Sequence, residues 1–135
     1  MTTTNTALTT QWLASVCTGA FLLAEAKLLD NLTVTTHWED LADLARDYPS
    51  LNVTDNQRWV KNGQIFTSAG ISAGINMSLQ LVSELVSHEL AIKTAKQMDY
   101  AWQTAFNLWY AIITLIFNNF FENDATFLSD QVNSD

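Results

Sequence analysis

A short apolar run, a glycine-containing corner and a longer apolar stretch follow one another near the start of this sequence. That order constrains the fold more than any other feature of the chain. Residues 12–16 (WLASV) read as a strand, and Cys17-Thr18-Gly19 reads as a tight corner. Residues 20–29 (AFLLAEAKLL) carry apolar side chains at the density of a packed helix. Asp30-Asn31 interrupts the pattern, and residues 32–36 (LTVTT) are rich in β-branched side chains, which predicts a second strand.

The next element starts with a recognisable signal. Thr36 and Glu39 have the spacing of a capping box, in which each side chain satisfies a backbone N–H of the other. Leu41, Leu44, Ala45 and Tyr48 follow at helical spacing, Asp40, Asp43 and Asp47 face away, and Pro49 ends the helix. Residues 51–53 and 57–60 read as short strands. Lys61-Asn62-Gly63 is a hairpin-type turn leading into a strand at residues 64–67. Ser68-Ala69-Gly70 is a second strand-to-helix corner, beyond which Ile71, Ile75, Leu79, Val82 and Val86 mark one face of a long helix. From Glu89 onward the pattern stays helical, and residues 101–121 predict a helix that is apolar most of the way round. Residues 1–11 and 122–135 read as mobile tails. Strands alternating with helices place the chain in the α/β class.

Composition excludes several functions. The 135 residues hold 14 Asp and Glu against 6 Lys and Arg, a net charge of -8, and the basic residues are scattered from Lys27 to Lys96. Phosphate binding draws on clustered cations, so no nucleic-acid partner is expected. A single cysteine forms no internal disulfide, and the polar, Thr-rich start has no signal-peptide pattern. The longest apolar run, residues 108–117, is ten residues, against roughly 20 for a spanning helix. A cytoplasmic protein without a membrane partner is the expectation.

Chemistry concentrates at the first corner. Cys17 lies where a strand meets a helix, and the positive end of that helix favours thiolate. The Thr18 N–H is then placed to stabilise an oxyanion, as in other nucleophile elbows. A buried structural cysteine is the competing reading. His37 follows the second strand at a helix start, where the dipole disfavours imidazolium and leaves a neutral ring able to act as a base. Asp30, Glu39 and Asp40 are all candidates to orient it. His88 reads as solvated. No cluster has metal-ligand spacing and no glycine loop of a nucleotide site is present, so neither a metal nor a cofactor is expected.

Three segments resemble the DJ/ThiJ/PfpI family of the class I glutamine amidotransferase-like superfamily. They are SVCTGAFLLAEAKLLD (residues 15–30), TTHW (35–38) and RWVKNGQIFTSAGISAGINMSLQLV (58–82). The resemblance covers about residues 12–100, including AKQMDY at 95–100, and looks closest to the isonitrile hydratase-like branch and the sensor domain of AraC-type regulators. It implies a flavodoxin-like α/β sandwich, often homodimeric, with the cysteine at a strained elbow. Carried over by position, Cys17 matches the family nucleophile and Thr18, beside Gly19, its oxyanion neighbour. His37 matches the histidine near the cysteine. Thr67, Ser68, Ala69 and Gly70 match a loop beside the same pocket. No cofactor is implied.

Two departures bear on function. Asn76 stands where the branch has an Asp in GIDLAL. Only sixteen residues precede Cys17, and none is Asp or Glu, whereas the family carries an acidic partner of the cysteine in a preceding half-domain. The resemblance therefore implies the C-terminal part of a longer domain at residues 12–100, with an incomplete sheet and impaired catalysis. One expectation is a cysteine-dependent hydratase or hydrolase acting on a small electrophilic or amide-like molecule. The other is a non-catalytic binding or redox/electrophile-sensing module acting through Cys17.

Overall fold

The computed structural model describes residues 9–104. The chain divides into two units, Met1–Trp102 and Gln103–Asp135. The elements of the first unit run β1 (Leu13–Val16), α1 (Gly19–Glu25), β2 (Thr33–Val34), a 3-10 turn (Trp38–Asp40), α2 (Leu41–Asp47), β3 (Asn52–Val53), β4 (Trp59–Asn62), β5 (Ile65–Ser68), α3 (Ser72–Leu85) and α4 (His88–Gln97).

Among the described residues, two small sheets organise these elements. One has the order β1-β5-β4, with β1 parallel and β4 antiparallel to the central β5; the other pairs β2 and β3 in parallel. In the first, Ser15 lies opposite Thr67 and Val16 opposite Ser68, so the two predicted corners leave the same end of the sheet side by side. Thr35 donates its N–H to the Thr67 hydroxyl (3.0 Å), and Asn62 donates its side-chain amide to the Thr33 carbonyl (2.7 Å), which ties the second sheet to the first. The main core is built from Ala20, Leu23 and Ala24 of α1 with Leu29, Val34 and Leu44. A second cluster joins Leu79 to Ala91, Ala95 and Trp102.

Several boundaries differ from the sequence expectation, each for a local reason. The first helix ends at Glu25 instead of running through residue 29. Lys27 takes a left-handed conformation (φ 57°), and the Lys27 and Leu28 N–H groups bond back to Ala24 and Leu23, closing a Schellman motif without glycine. The second strand shortens to two residues. The capping box does not form: the 3-10 turn has no side-chain cap, and the Thr36 hydroxyl donates to the Cys17 carbonyl instead. The hairpin tip sits at Gly63-Gln64, because Lys61 and Asn62 pair with Phe66 and Ile65, and Gly63 supplies the positive φ of 58°. The strand expected at 57–60 is shifted accordingly to Trp59–Asn62.

The helix expected from Glu89 onward is a separate element. Ser87 caps it by accepting the Leu90 N–H (3.1 Å), and Asp99 (φ 51°) ends it through bonds from Asp99 to Lys96 and from Tyr100 to Ala95. Residues 101–104 are not helical, and the remainder of the apolar helix expected at 101–121 lies outside the described residues, as does the tail at 122–135.

One surface pair carries a pH dependence. Burial alone would raise the Glu84 carboxyl, but hydrogen bonds from Lys61 and Gln80, with the Lys61 charge, bring it below its ordinary value. A carboxylate whose native pKa is depressed contributes stability above the unfolded-state value and loses it as pH falls through the native one. Lys61→Met is therefore expected to flatten the acid limb of the stability curve below about pH 5. Urea midpoints compared at pH 7 and pH 3 check this, and an unchanged difference between the two would refute it.

Candidate functional site

Cys17 is the first residue past β1, and the chain reverses there into α1. Its φ of 53° is a conformation non-glycine residues seldom adopt, which costs about 1–3 kcal/mol and persists only where the surroundings impose it. Two hydrogen bonds impose it. The Cys17 N–H donates to the Ser68 carbonyl (3.1 Å), continuing the β1–β5 ladder, and the Cys17 carbonyl accepts from the Thr36 hydroxyl (2.9 Å). The predicted corner is thus a strained elbow. The thiol is free and its residue half-buried. Thr18 is the N-cap residue of α1, and its side chain makes no capping bond. Gly19 packs its backbone against Ser15, whose buried hydroxyl has no hydrogen-bond partner among the described residues.

His37 lies beside the same corner, one residue past the Thr36 contact. Its ring rests on Gly70: a Cβ at Gly70 would lie 2.3 Å from Nδ1 and 3.0 Å from Cε1. The loop residue expected to flank the pocket therefore holds the histidine by having no side chain. Among the described residues, Nδ1 is buried without a hydrogen-bond partner, and no hydrogen bond joins the ring to Cys17. Of the three acids proposed to orient it, Glu39 is the nearest, with Oε2 4.0 Å from Nε2. Asp30 is taken by the Ser50 hydroxyl (2.9 Å), and Asp40 meets His37 through its backbone N–H (2.9 Å).

The remaining loop residues are tied into the fold by hydrogen bonds. Thr67 and Ser68 are fully buried; Thr67 accepts the Thr35 N–H, and the Ser68 hydroxyl donates to the Ala69 carbonyl (3.1 Å). The Ala69 N–H donates to the Arg58 carbonyl (2.9 Å). Asn76, where the family pattern has Asp, is buried and accepts the Trp59 indole N–H (3.0 Å). An uncharged amide at this position avoids placing a carboxylate in the interior.

Cys17 borders an open groove of about 620 Å³ whose apolar walls include Val16, Ile71, Ile75, Leu79, Val82 and Met98. The apolar stripe of α3 borders the groove at Ile71, Ile75, Leu79 and Val82. Ile71 is 84% exposed and Ile75 37%, while the buried face is Ala73, Gly74, Asn76, Met77 and Leu79. Ile71 itself precedes the helix at φ 47°, a second strained position on the rim. Two hydroxyls on the groove, Ser78 and Thr94, donate to the Gly74 and Leu90 carbonyls of their own helices (both 2.8 Å). Sequence reasoning assigns neither Thr36 to the elbow nor α4 to the groove. The α3 stripe is visible in the sequence as one apolar face, without the groove it borders. Among the described residues, no group of His, Cys, Asp and Glu converges to hold a metal ion, and no helix is long and apolar enough to cross a membrane.

Known proteins are similar to this chain in sequence and in fold. Isonitrile hydratase from Pseudomonas putida is 40% identical over 91 residues, 67% of this chain and 39% of that protein. The HTH-type transcriptional regulator CdhR of Pseudomonas aeruginosa is 36% identical over 85 residues, 63% of this chain and 25% of the regulator. Among solved structures, a ThiJ/PfpI family protein from Pseudomonas syringae superposes with a TM-score of 0.59 at 26% identity, over 79% of this chain and 47% of that one. Drosophila melanogaster DJ-1beta superposes with a TM-score of 0.61 at 22% identity, over 67% of this chain and 47% of its own, a likeness of fold. The chain thus spans two-fifths or less of these curated relatives and about half of these solved structures. The model of the DJ-1/PfpI family matches residues 3–84, which takes in the elbow, the His37 corner and the Gly70 loop, and the chain belongs to that family.

Proposed function

We propose that Cys17 is a nucleophile that captures a small carbon electrophile entering by the groove, in a module related to isonitrile hydratase. The observation that carries this reading is the strained elbow at Cys17, with φ at 53° and the residue bordering the groove. Backbone strain held by specific hydrogen bonds is characteristic of sites where a side chain must be presented. In the hydration reading, the thiol adds across the isonitrile-type carbon to give a thioimidate. Water then adds to that carbon, and the thiol leaves with its proton restored, releasing an N-substituted formamide. Thr18 is the oxyanion donor in this scheme and His37 the base.

A second reading is a binding or electrophile-sensing module without turnover. It is favoured by the missing hydrogen bond between His37 and Cys17, and by the similarity to a transcriptional regulator. Homodimerisation belongs to both readings as an implication of the family resemblance.

Alkylation by iodoacetamide at pH 7 tests the nucleophile. Folded protein is expected to react at least tenfold faster than the same chain in urea, with all labelling lost in Cys17→Ser. Equal rates folded and unfolded would sink the reading. Supplying an isonitrile then separates the two functions: formamide release favours the hydratase, and stoichiometric capture without release favours the sensor.

A further inference from the structure

The backbone at Cys17 is held from a distance by a residue that the sequence assigns to another task. We infer that Thr36 is a positioning residue for the nucleophile elbow, setting the orientation of the Thr18 N–H by holding the carbonyl of the same peptide unit. The inference rests on the reading of Cys17 as a nucleophile and extends it to a residue nineteen positions away.

The geometry begins with the peptide plane. A trans peptide holds its C=O and N–H pointing in opposite directions. The Cys17 carbonyl points at the Thr36 hydroxyl, 2.9 Å away, so the Thr18 N–H of that plane points away from Thr36. Rotation of this plane changes ψ at Cys17 and φ at Thr18 and so swings the Thr18 N–H. The Thr36 bond opposes that rotation. A donor on the carbonyl also polarises the amide, making its N–H a stronger donor to a developing negative charge.

Thr36 is suited to this because it is itself immobilised. It is 1% exposed. On one side, the Thr35 N–H is bonded to the buried Thr67 hydroxyl of β5 (3.0 Å); on the other, the His37 ring is seated on Gly70. The segment is therefore pinned to the strand that also receives the Cys17 N–H, and the hydroxyl approaches the elbow from a fixed point. The hydroxyl proton is committed to the Cys17 carbonyl, and the following turn takes no side-chain cap from its oxygen.

Thr36→Val keeps the shape and removes the hydroxyl, and Thr36→Ser keeps the hydroxyl. The expected result is a loss of about tenfold or more in the Cys17 alkylation rate for Thr36→Val, with an altered pH profile. Thr36→Ser should stay within about twofold of wild type, since the donor is what matters. A wild-type rate and pH profile in folded Thr36→Val would overturn the inference, as would a loss that serine fails to restore. The intact protein gives an independent measurement should the valine variant not fold. The Thr36 hydroxyl proton should exchange slowly and show proximity to Cys17 in NMR spectra, and its absence there would overturn the inference as well. A wild-type Cys17 no more reactive than in urea would instead sink the nucleophile reading, and the NMR measurement would still decide the role of Thr36.

Discussion

Replacing Gly70 with alanine is expected to destabilise the protein by about 1–3 kcal/mol, and most of that cost should vanish once His37 is also replaced. The new methyl would sit 2.3 Å from Nδ1 and 3.3 Å from Cγ, so the ring as a whole must swing aside. Its backbone cannot follow freely, since the His37 carbonyl accepts the Asp40 N–H and Thr36 is anchored to the elbow. In a His37→Ala background the space is vacant, and Gly70→Ala should cost less than about 0.5 kcal/mol. A double-mutant cycle by urea unfolding measures the coupling. An equal penalty in both backgrounds would show that Gly70 is needed for the loop backbone and not for the ring. The histidine ring resonances in Gly70→Ala report the displacement directly.

Truncating Phe66 to alanine is expected to cost about 3–5 kcal/mol, a large fraction of the roughly 5–15 kcal/mol that holds a domain folded. Phe66 is fully buried on the central strand β5. Its ring lies between Trp12 (centroids 5.8 Å) and Trp59 (6.0 Å), with the Lys61 ammonium 5.5 Å from its centre. Removing it opens a cavity that three flanking groups on other segments cannot collapse into without breaking strand pairing. The same strand supplies Thr67 and Ser68, which anchor Thr35 and Cys17, so loosened packing should also slow Cys17 labelling. Phe66→Leu keeps most of the volume and should cost less than about 1.5 kcal/mol. A Phe66→Ala loss below about 1 kcal/mol would mean that the aromatic stack contributes little to holding β5.

The legible parts of this chain are those encoded within a few neighbouring residues. The elbow is an example: an apolar strand, a small corner and an apolar helix leave few arrangements for Cys17, and the observed φ of 53° agrees with that reading. The same holds for the second corner at Ser68-Ala69-Gly70 and for the helix that follows. Helix ends are less legible, because Lys27 and Asp99 accept left-handed conformations that the sequence pattern associates with glycine. The surroundings of the α3 face are less legible for a different reason. Periodicity identifies an apolar stripe, yet the surface left exposed depends on what packs against the helix, and the face that is buried holds Ala73, Gly74, Asn76, Met77 and Leu79.

Local order, the α/β class, the presented cysteine and the family segments thus follow from residue types and spacing, since they depend on propensities and contacts short in sequence. The partner of Thr36 does not. Its hydroxyl is able to accept a backbone N–H three residues on, which the local pattern suggests. Its proton donates to a carbonyl nineteen residues back, which only the placement of the segment after β2 beside the elbow brings within reach. The seat of His37 is settled in the same way. Whether a glycine thirty-three positions later is needed is a question of space between segments, and space is defined only when the strands have come together.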